Sequence, residues 1–457
     1  MTQAPASQAL HTLGVVECAS AIAAGELSPV DLVEALLDRI AAIDGEVQAW
    51  AYVDAAGARA AAAGLAAEAK AGRLRGPLHG VPVGIKDVFD VAGMPTVSNS
   101  RTTSTAPVAR DSSVARNLRA AGAIILGKTH TVEFAGMGAS PPSRNPWNLA
   151  HTPGGSSSGS GAAVGARMVP AAIGTQTGGS NLRPAAYCGV SGFKGTYGRI
   201  GRYGCIPVSW SFDHPGVIAR SIADCAAVFA ACAGPDPADP TTLQEPAPPA
   251  TPGTFPRPPR LGIVRDFFFG RAEPVMRDAL EARAALLERT GAAVVEVSLP
   301  PEFWWHLGGH RLTMTPEAAV VHAKRYATRL PDLTPRQRAG IEAYSLVPAT
   351  YYLQAQRVRR YLHERLQGLF ADIDALIMPT APGPAPAGLQ STGDASLLTP
   401  WTFIGYPAAT VPAGLTPDGM PLGMQVVGPP SADVRVLQVA QWCEDVGGVL
   451  PPPPCYP

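Results

Sequence analysis

Charge is scarce in this chain. Only 16% of its 457 residues are Asp, Glu, Lys or Arg, against about 25% in an average soluble protein. The two signs balance at 36 each. No basic tract occurs, which argues against a nucleic-acid partner. No apolar run reaches the length of a spanning helix, so no membrane partner is expected. The opening stretch MTQAPASQALHTLG lacks the basic and apolar segments of an export signal, and a cytoplasmic location is expected. The seven cysteines (18, 188, 205, 225, 232, 443 and 455) form an odd, scattered set, unlike a disulfide framework. There is no HExxH and no cluster of His and Asp, so neither a metal nor a cofactor is expected. No GxGxxG and no fixed-period repeat occurs.

What is abundant is backbone punctuation. The chain has 48 glycines and 47 prolines, about a fifth of its length, with no G-X-Y period. The 46% apolar share excludes wholesale disorder. Length alone suggests two or three domains, or one large α/β unit. Residues 1–72 read as a mostly helical N-terminal region. In it Ser28 is an N-cap, Pro29 is at N1, and an apolar face follows at Leu32, Val33, Leu36, Leu37 and Ile40. Short apolar runs at 81–85, 123–126, 261–264, 293–297, 375–378, 407–411 and 423–427 read as strands. Helical patterns at 55–71, 114–121, 161–168, 217–232, 275–290 and 434–446 fall among them. In the helix expected over 217–232, Asp224 reads as solvated. A helical insertion spans 301–370, and 235–259 is a Pro-rich wrap or linker. Strands alternating with helices give an α/β class with a large mixed central sheet covered by helices on both faces.

Two glycine-serine segments carry the chemistry: Gly154–Gly161 (GGSSSGSG) and Gly174–Ser180 (GTQTGGS). A flexible linker would not be flanked by Val164, Met168, Val169 and Ile173. The alternative is tight turns that gather hydroxyls and N–H groups around a small anion. A serine behind Gly-Gly can attack a carbonyl while neighbouring N–H groups hold the oxyanion. Gly155–Gly159 spells GxSxG about Ser157, but residues 151–154 make a poor preceding strand. Gly122–Thr129 spells a P-loop with Lys128 in the lysine place, yet its middle residues read as the strand itself. No histidine has a compelling motif for a base. Lysine is rare, at 70, 86, 128, 194 and 324 only. Lys86 lies in the mostly apolar stretch VGIKDV, where burial would favour a neutral, basic amine; an exposed strand-end lysine is the plainer reading.

The chain resembles the amidase signature family. The resemblance rests on Gly154–Ser180, with Ser156 and Ser180 at the family's spacing, and on the lysine motif Gly80–Asp87. It continues through Arg183-Pro184-Ala185-Ala186, Cys188–Lys194, Asp213-His214-Pro215-Gly216, Gly405–Ala408 and Pro421–Gln425, and covers roughly residues 15–450. It implies one amidase signature domain over 1–457, with 301–370 facing the substrate. It also implies a Ser-cisSer-Lys triad. Ser180 is the nucleophile, Ser156 the bridging serine after a cis bond from Gly155, and Lys86 the neutral base. The N–H groups of Thr177, Gly178, Gly179 and Ser180 form the oxyanion hole. Asp87 and Asp213 are structural acceptors, and Ser157 braces the hole or the lysine, or is a turn serine.

The chain departs from the family pattern at Gln176, often Asp, which removes a local carboxylate from Arg183. It departs again at Asn181 and Gly195. The resemblance implies an amidohydrolase acting on small aryl or alkyl amides. Carbamates (urethanes) or esters, a glutamine amidotransferase A-type subunit, and a non-catalytic scaffold are the alternatives. Met137, Trp210, Trp401 and Phe403 are candidates for an apolar substrate pocket. A homodimer is the prior for assembly.

Overall fold

Residues 9–136 and 138–456 are described by a computed structural model. The N-terminal part holds α1 (Val15–Ala23), α2 (Pro29–Val47), β1 (Trp50–Val53) and α3 (Ala55–Lys70). Ser28 caps α2, its Oγ accepting from the Val30 N–H, with Pro29 in the first turn. Then come β2 (Pro82–Lys86), α4 (Ser113–Ala120), β3 (Ile124–Thr129), α5 (Ser158–Gly165), β4 (Ala171–Gln176), α6 (Leu182–Tyr187), β5 (Ser191–Lys194), β6 (His214–Ala219) and α7 (Ile222–Cys232). The C-terminal half adds β7 (Arg260–Ile263), α8 (Pro274–Arg289), β8 (Ala293–Glu296), α9 (His306–Arg329), α10 (Pro335–Tyr344), α11 (Ala349–Arg365), β9 (Ala375–Pro379), α12 (Thr399–Ile404), β10 (Ala408–Leu415), β11 (Pro421–Val427) and α13 (Asp433–Gly447).

All eleven strands form one mixed sheet in the order β1-β3-β2-β4-β6-β5-β10-β11-β9-β7-β8. β2 pairs in parallel with β3 and β4. Every residue of β2, β3, β4, β5, β6, β9 and β11 is buried, because helices cover both faces.

Several boundaries differ from the sequence reading. Residues 1–72 include the edge strand β1, antiparallel to β3, as well as helices. The helix expected over 217–232 is a strand to Ala219 and a helix from Ile222. Its cap is Ser221, whose side chain accepts from the Asp224 N–H at 3.1 Å, a local signal that was legible. Asp224 is buried rather than solvated; it accepts from the Val16 N–H at the start of α1 at 2.9 Å. β4, β5 and β6 went unread because glycine or proline interrupts each of them.

Candidate active site

Lys86 ends β2 and is fully buried. Its Nζ lies 2.7 Å from Ser156 Oγ and 2.6 Å from Thr175 Oγ1. Among the described residues no carboxylate hydrogen-bonds to it. Burial holds its ammonium well below the usual lysine value, at about 7, because the charged form loses its hydration. Thr175 is a site residue that the sequence did not single out. The parallel pairing of β2 with β4, which sets Ile85 against Ile173, brings it to the lysine.

Gly155–Ser156 is a cis peptide bond. Ser157 acts on Thr175, its Oγ donating to the Thr175 carbonyl at 3.3 Å and accepting from the Thr175 N–H at 3.1 Å. It precedes α5 with no strand before it, so no nucleophile elbow forms. Ser156 and Ser180 line one cavity of about 290 Å³, together with Arg183, Arg336 and residues 390–393. Thr177, Gly178, Gly179 and Ser180 line a second cavity of about 210 Å³, so Ser180 stands where the two meet. Among the described residues no backbone or side-chain acceptor takes the N–H groups of Gly178, Gly179 or Ser180.

The residues expected to support the site have these partners. Asp213 accepts from Thr177 Oγ1 at 2.6 Å and from the N–H groups of Val208 and Ser209 at 2.8 and 3.0 Å. Asp87 accepts from Ser98 N–H and pairs with Lys128 Nζ at 2.8 Å. Lys128 therefore sits buried inside β3, which excludes a P-loop, and the buried Lys86 is likewise no exposed strand-end lysine. Arg183 has carbonyls in place of a carboxylate, donating to Gly155 O at 2.5 Å and Gly393 O at 2.9 Å.

Gln176 turns to the start of α6, its Oε1 accepting from the Asn181 and Leu182 N–H groups at 3.1 and 3.0 Å. Asn181 Nδ2 ties that turn to β5 and β6 through Phe193 O and Val217 O. Gly195 leaves room for the Phe229 ring, which an added Cβ would meet at 2.7 Å.

The expected apolar pocket is built from other residues. Trp401 and Phe403 are fully buried in a core cluster, and Trp401 Nε1 reaches Met378 Sδ at 3.1 Å. Trp210 lies on a separate cavity of about 230 Å³ with Arg202, Cys205 and Asp213. Met137 lies outside the described residues. The 210 Å³ cavity is walled instead by α9 and α10 of the 301–370 segment, through Met314, Ala318, His322, Ile341 and Tyr344, with Val208 opposite. Trp304 and Trp305 of the same segment are exposed. Helical periodicity marked the segment, but the choice of inward residues depends on how α9 and α10 pack.

The family model described as Amidase matches residues 31–437. The chain belongs to the amidase family. This amidase is 37% identical to the A-type subunit of a glutamyl-tRNA(Gln) amidotransferase from Salinispora arenicola, over 97% of this chain and 99% of that one. It is similar to a solved structure described as a vestigial protein complex that reveals the evolutionary origins of an s-triazine catabolic enzyme. That similarity has a TM-score of 0.88 and 31% identity, over 96% of this chain and all of the other. It is also similar to the native peptide amidase of Stenotrophomonas maltophilia, with a TM-score of 0.82 and 29% identity over 96% and 98% of the two chains. The amidase is thus a hydrolase of the amidase-signature type.

Proposed function

We propose that this hydrolase cleaves the carboxamide of a small substrate that also carries a carboxylate. That is glutaminase-type chemistry, the chemistry expected of an A-type amidotransferase subunit. The observation that carries the reading is the cavity beside Ser156 and Ser180. The exposed Arg336 guanidinium lines it, beside an Arg183 already bonded to the Gly155 and Gly393 carbonyls, and no Asp or Glu does among the described residues. A guanidinium fork suits a carboxylate. The full-length similarity to A-type amidotransferase subunits supports the same reading. The aryl-amide expectation loses support with Trp401 and Phe403, which pack in the core.

In the proposed cycle neutral Lys86 takes the Ser180 proton through Ser156. Ser180 Oγ then bonds to the amide carbon, and the negative charge moves to the carbonyl oxygen, facing the free N–H groups of 178–180. The C–N bond breaks as nitrogen takes a proton back through Ser156. Water, deprotonated by the same relay, attacks the acyl-enzyme and releases the acid and Ser180.

The test is a panel of carboxylate-bearing amides (glutamine first), neutral aryl and alkyl amides, carbamates and esters, read by product mass and ammonia release. Higher kcat/KM on the carboxylate-bearing amides supports the proposal. Faster turnover of neutral aryl amides, carbamates or esters overturns it.

A further inference from the structure

The stretch Thr177-Gly178-Gly179-Ser180 has a weakness built into its composition. Two successive glycines allow peptide planes to turn at little steric cost. A turned plane would present a carbonyl where the oxyanion needs an N–H. The planes are nevertheless pinned from outside the stretch, by two elements far away in sequence.

His310, on α9, has its Nε2 2.8 Å from the Thr177 carbonyl oxygen. Its ring stacks on Phe212, with centroids 4.9 Å apart and planes 10° apart. Burial pushes the imidazole down to about 4, so the ring is neutral and Nε2 carries the proton that it donates to the carbonyl. On α12, the Thr402 hydroxyl donates to the Gly178 carbonyl at 2.7 Å. Thr402 is in turn held by Gln176, whose Nε2 donates to Thr402 Oγ1 at 3.0 Å. The other end of the Gln176 amide accepts from Asn181 and Leu182 N–H groups, just beyond Ser180. One side chain therefore spans the stretch, with its oxygen on the far side and its nitrogen reaching the middle through Thr402. An Asp here would have no N–H to give Thr402.

In a trans peptide the C=O of one residue and the N–H of the next point in opposite directions. Holding the Thr177 carbonyl against α9 therefore turns the Gly178 N–H away from α9. Holding the Gly178 carbonyl against α12 turns the Gly179 N–H away from α12. We propose that His310 and the Gln176–Thr402 pair are positioning residues that hold the Gly178 and Gly179 N–H groups on the reacting carbonyl. The inference rests on the reading of Ser180 as nucleophile. It gives α9 a second task beside walling the substrate cavity, and it gives a role to glutamine at 176.

The test compares Thr402→Val, Thr402→Ser and His310→Phe with the unaltered protein. Thr402 lines neither cavity at Ser180, so Thr402→Val removes the hydroxyl that joins Gln176 to the Gly178 carbonyl, along with its contact to the Leu398 carbonyl, without altering a cavity wall. His310→Phe keeps a ring on Phe212. Three readouts are taken. They are kcat and KM on the best amide of the panel, inhibition by phenylboronic acid, and the rate of Ser180 labelling by a fluorophosphonate. Both tetrahedral probes use the same N–H groups.

Removing an oxyanion donor outright costs about 10²–10³ in kcat, so losing the brace on one is expected to cost about tenfold or more. For Thr402→Val, kcat, boronate affinity and labelling rate fall together, KM stays within about twofold, and the pH profile keeps its midpoint. Thr402→Ser restores all three, which a packing defect would not. Unchanged kcat and boronate affinity in Thr402→Val overturn the proposal, as does a loss that Thr402→Ser fails to repair. If the unaltered protein is neither labelled at Ser180 nor inhibited, the nucleophile reading itself falls, an outcome distinct from failure of the brace.

Discussion

Asp87 bonds to Lys128 across β2 and β3, at 2.8 Å, and not to its sequence neighbour Lys86. Two lysines are thus buried in neighbouring strands of the sheet with different partners. Burial lowers the pKa of both; at Lys128 the hydrogen-bonded Asp87 opposes the shift, whereas among the described residues Lys86 bonds to hydroxyls, and the Asp213 charge opposes its shift without a hydrogen bond. The pairing leaves Lys86 free to act as a neutral amine.

The first expectation concerns pH. In the proposed cycle the base is the neutral form of Lys86, whose folded value is about 7. The kcat/KM value should therefore rise as pH passes upward through about 7 and level off above it. A pH–rate profile checks this, and an optimum below pH 6 would exclude a neutral-lysine base.

Breaking the other pair should cost stability. Asp87→Asn leaves the Lys128 ammonium buried without its counter-ion. Removing one partner of a buried pair costs about 3–5 kcal/mol, to be read as a lowered denaturation midpoint.

Loss of the nucleophile should be close to complete. Ser180→Ala is expected to lower kcat by about 10⁴-fold or more and to abolish fluorophosphonate labelling. EDTA should leave both unchanged. Labelling that persists at another serine in Ser180→Ala would contradict the assignment.

Substrate charge can be tested at one residue. Arg336 is exposed at the rim of the cavity beside Ser156. Arg336→Met should lower kcat/KM about 10- to 100-fold on carboxylate-bearing amides and leave neutral amides alone. Equal losses on both classes would remove Arg336 from substrate recognition.

Glycines of the two kinds should respond with opposite signs. A Cβ on Gly159 would lie 2.2 Å from the Ala49 carbonyl oxygen and 2.4 Å from the His130 nitrogen. Both are backbone atoms that cannot yield, so Gly159→Ala should destabilise by about 1–3 kcal/mol or more. Gly64, exposed on α3, has open space around it. Gly64→Ala should stabilise by about 0.5–1 kcal/mol. Denaturant unfolding of the two variants measures the difference.

The sequence by itself determined the α/β class and the strands that are unbroken apolar runs, while its resemblance to the amidase signature family singled out Lys86, Ser156 and Ser180. The first signals are local, being apolar periodicity and caps; the last rests on motifs of fixed spacing. Strands β4, β5 and β6 escaped because glycine or proline interrupts each short run, and their burial comes from neighbours across the sheet. Thr175, His310 and Thr402 escaped for the second of these reasons. Each meets the site only when β4 pairs with β2, or when α9 and α12 pack against the stretch 177–180. Trp401 and Phe403 show the converse, since aromatic character alone does not tell a cavity wall from a core. The scarcity of charge also takes its meaning from the fold. Three of the five lysines, 86, 128 and 194, are fully buried. Their partners, hydroxyls for Lys86, a carboxylate for Lys128 and the Tyr406 carbonyl for Lys194, come from distant segments. Tertiary packing therefore decided which buried lysine has a carboxylate partner and which faces hydroxyls or carbonyls.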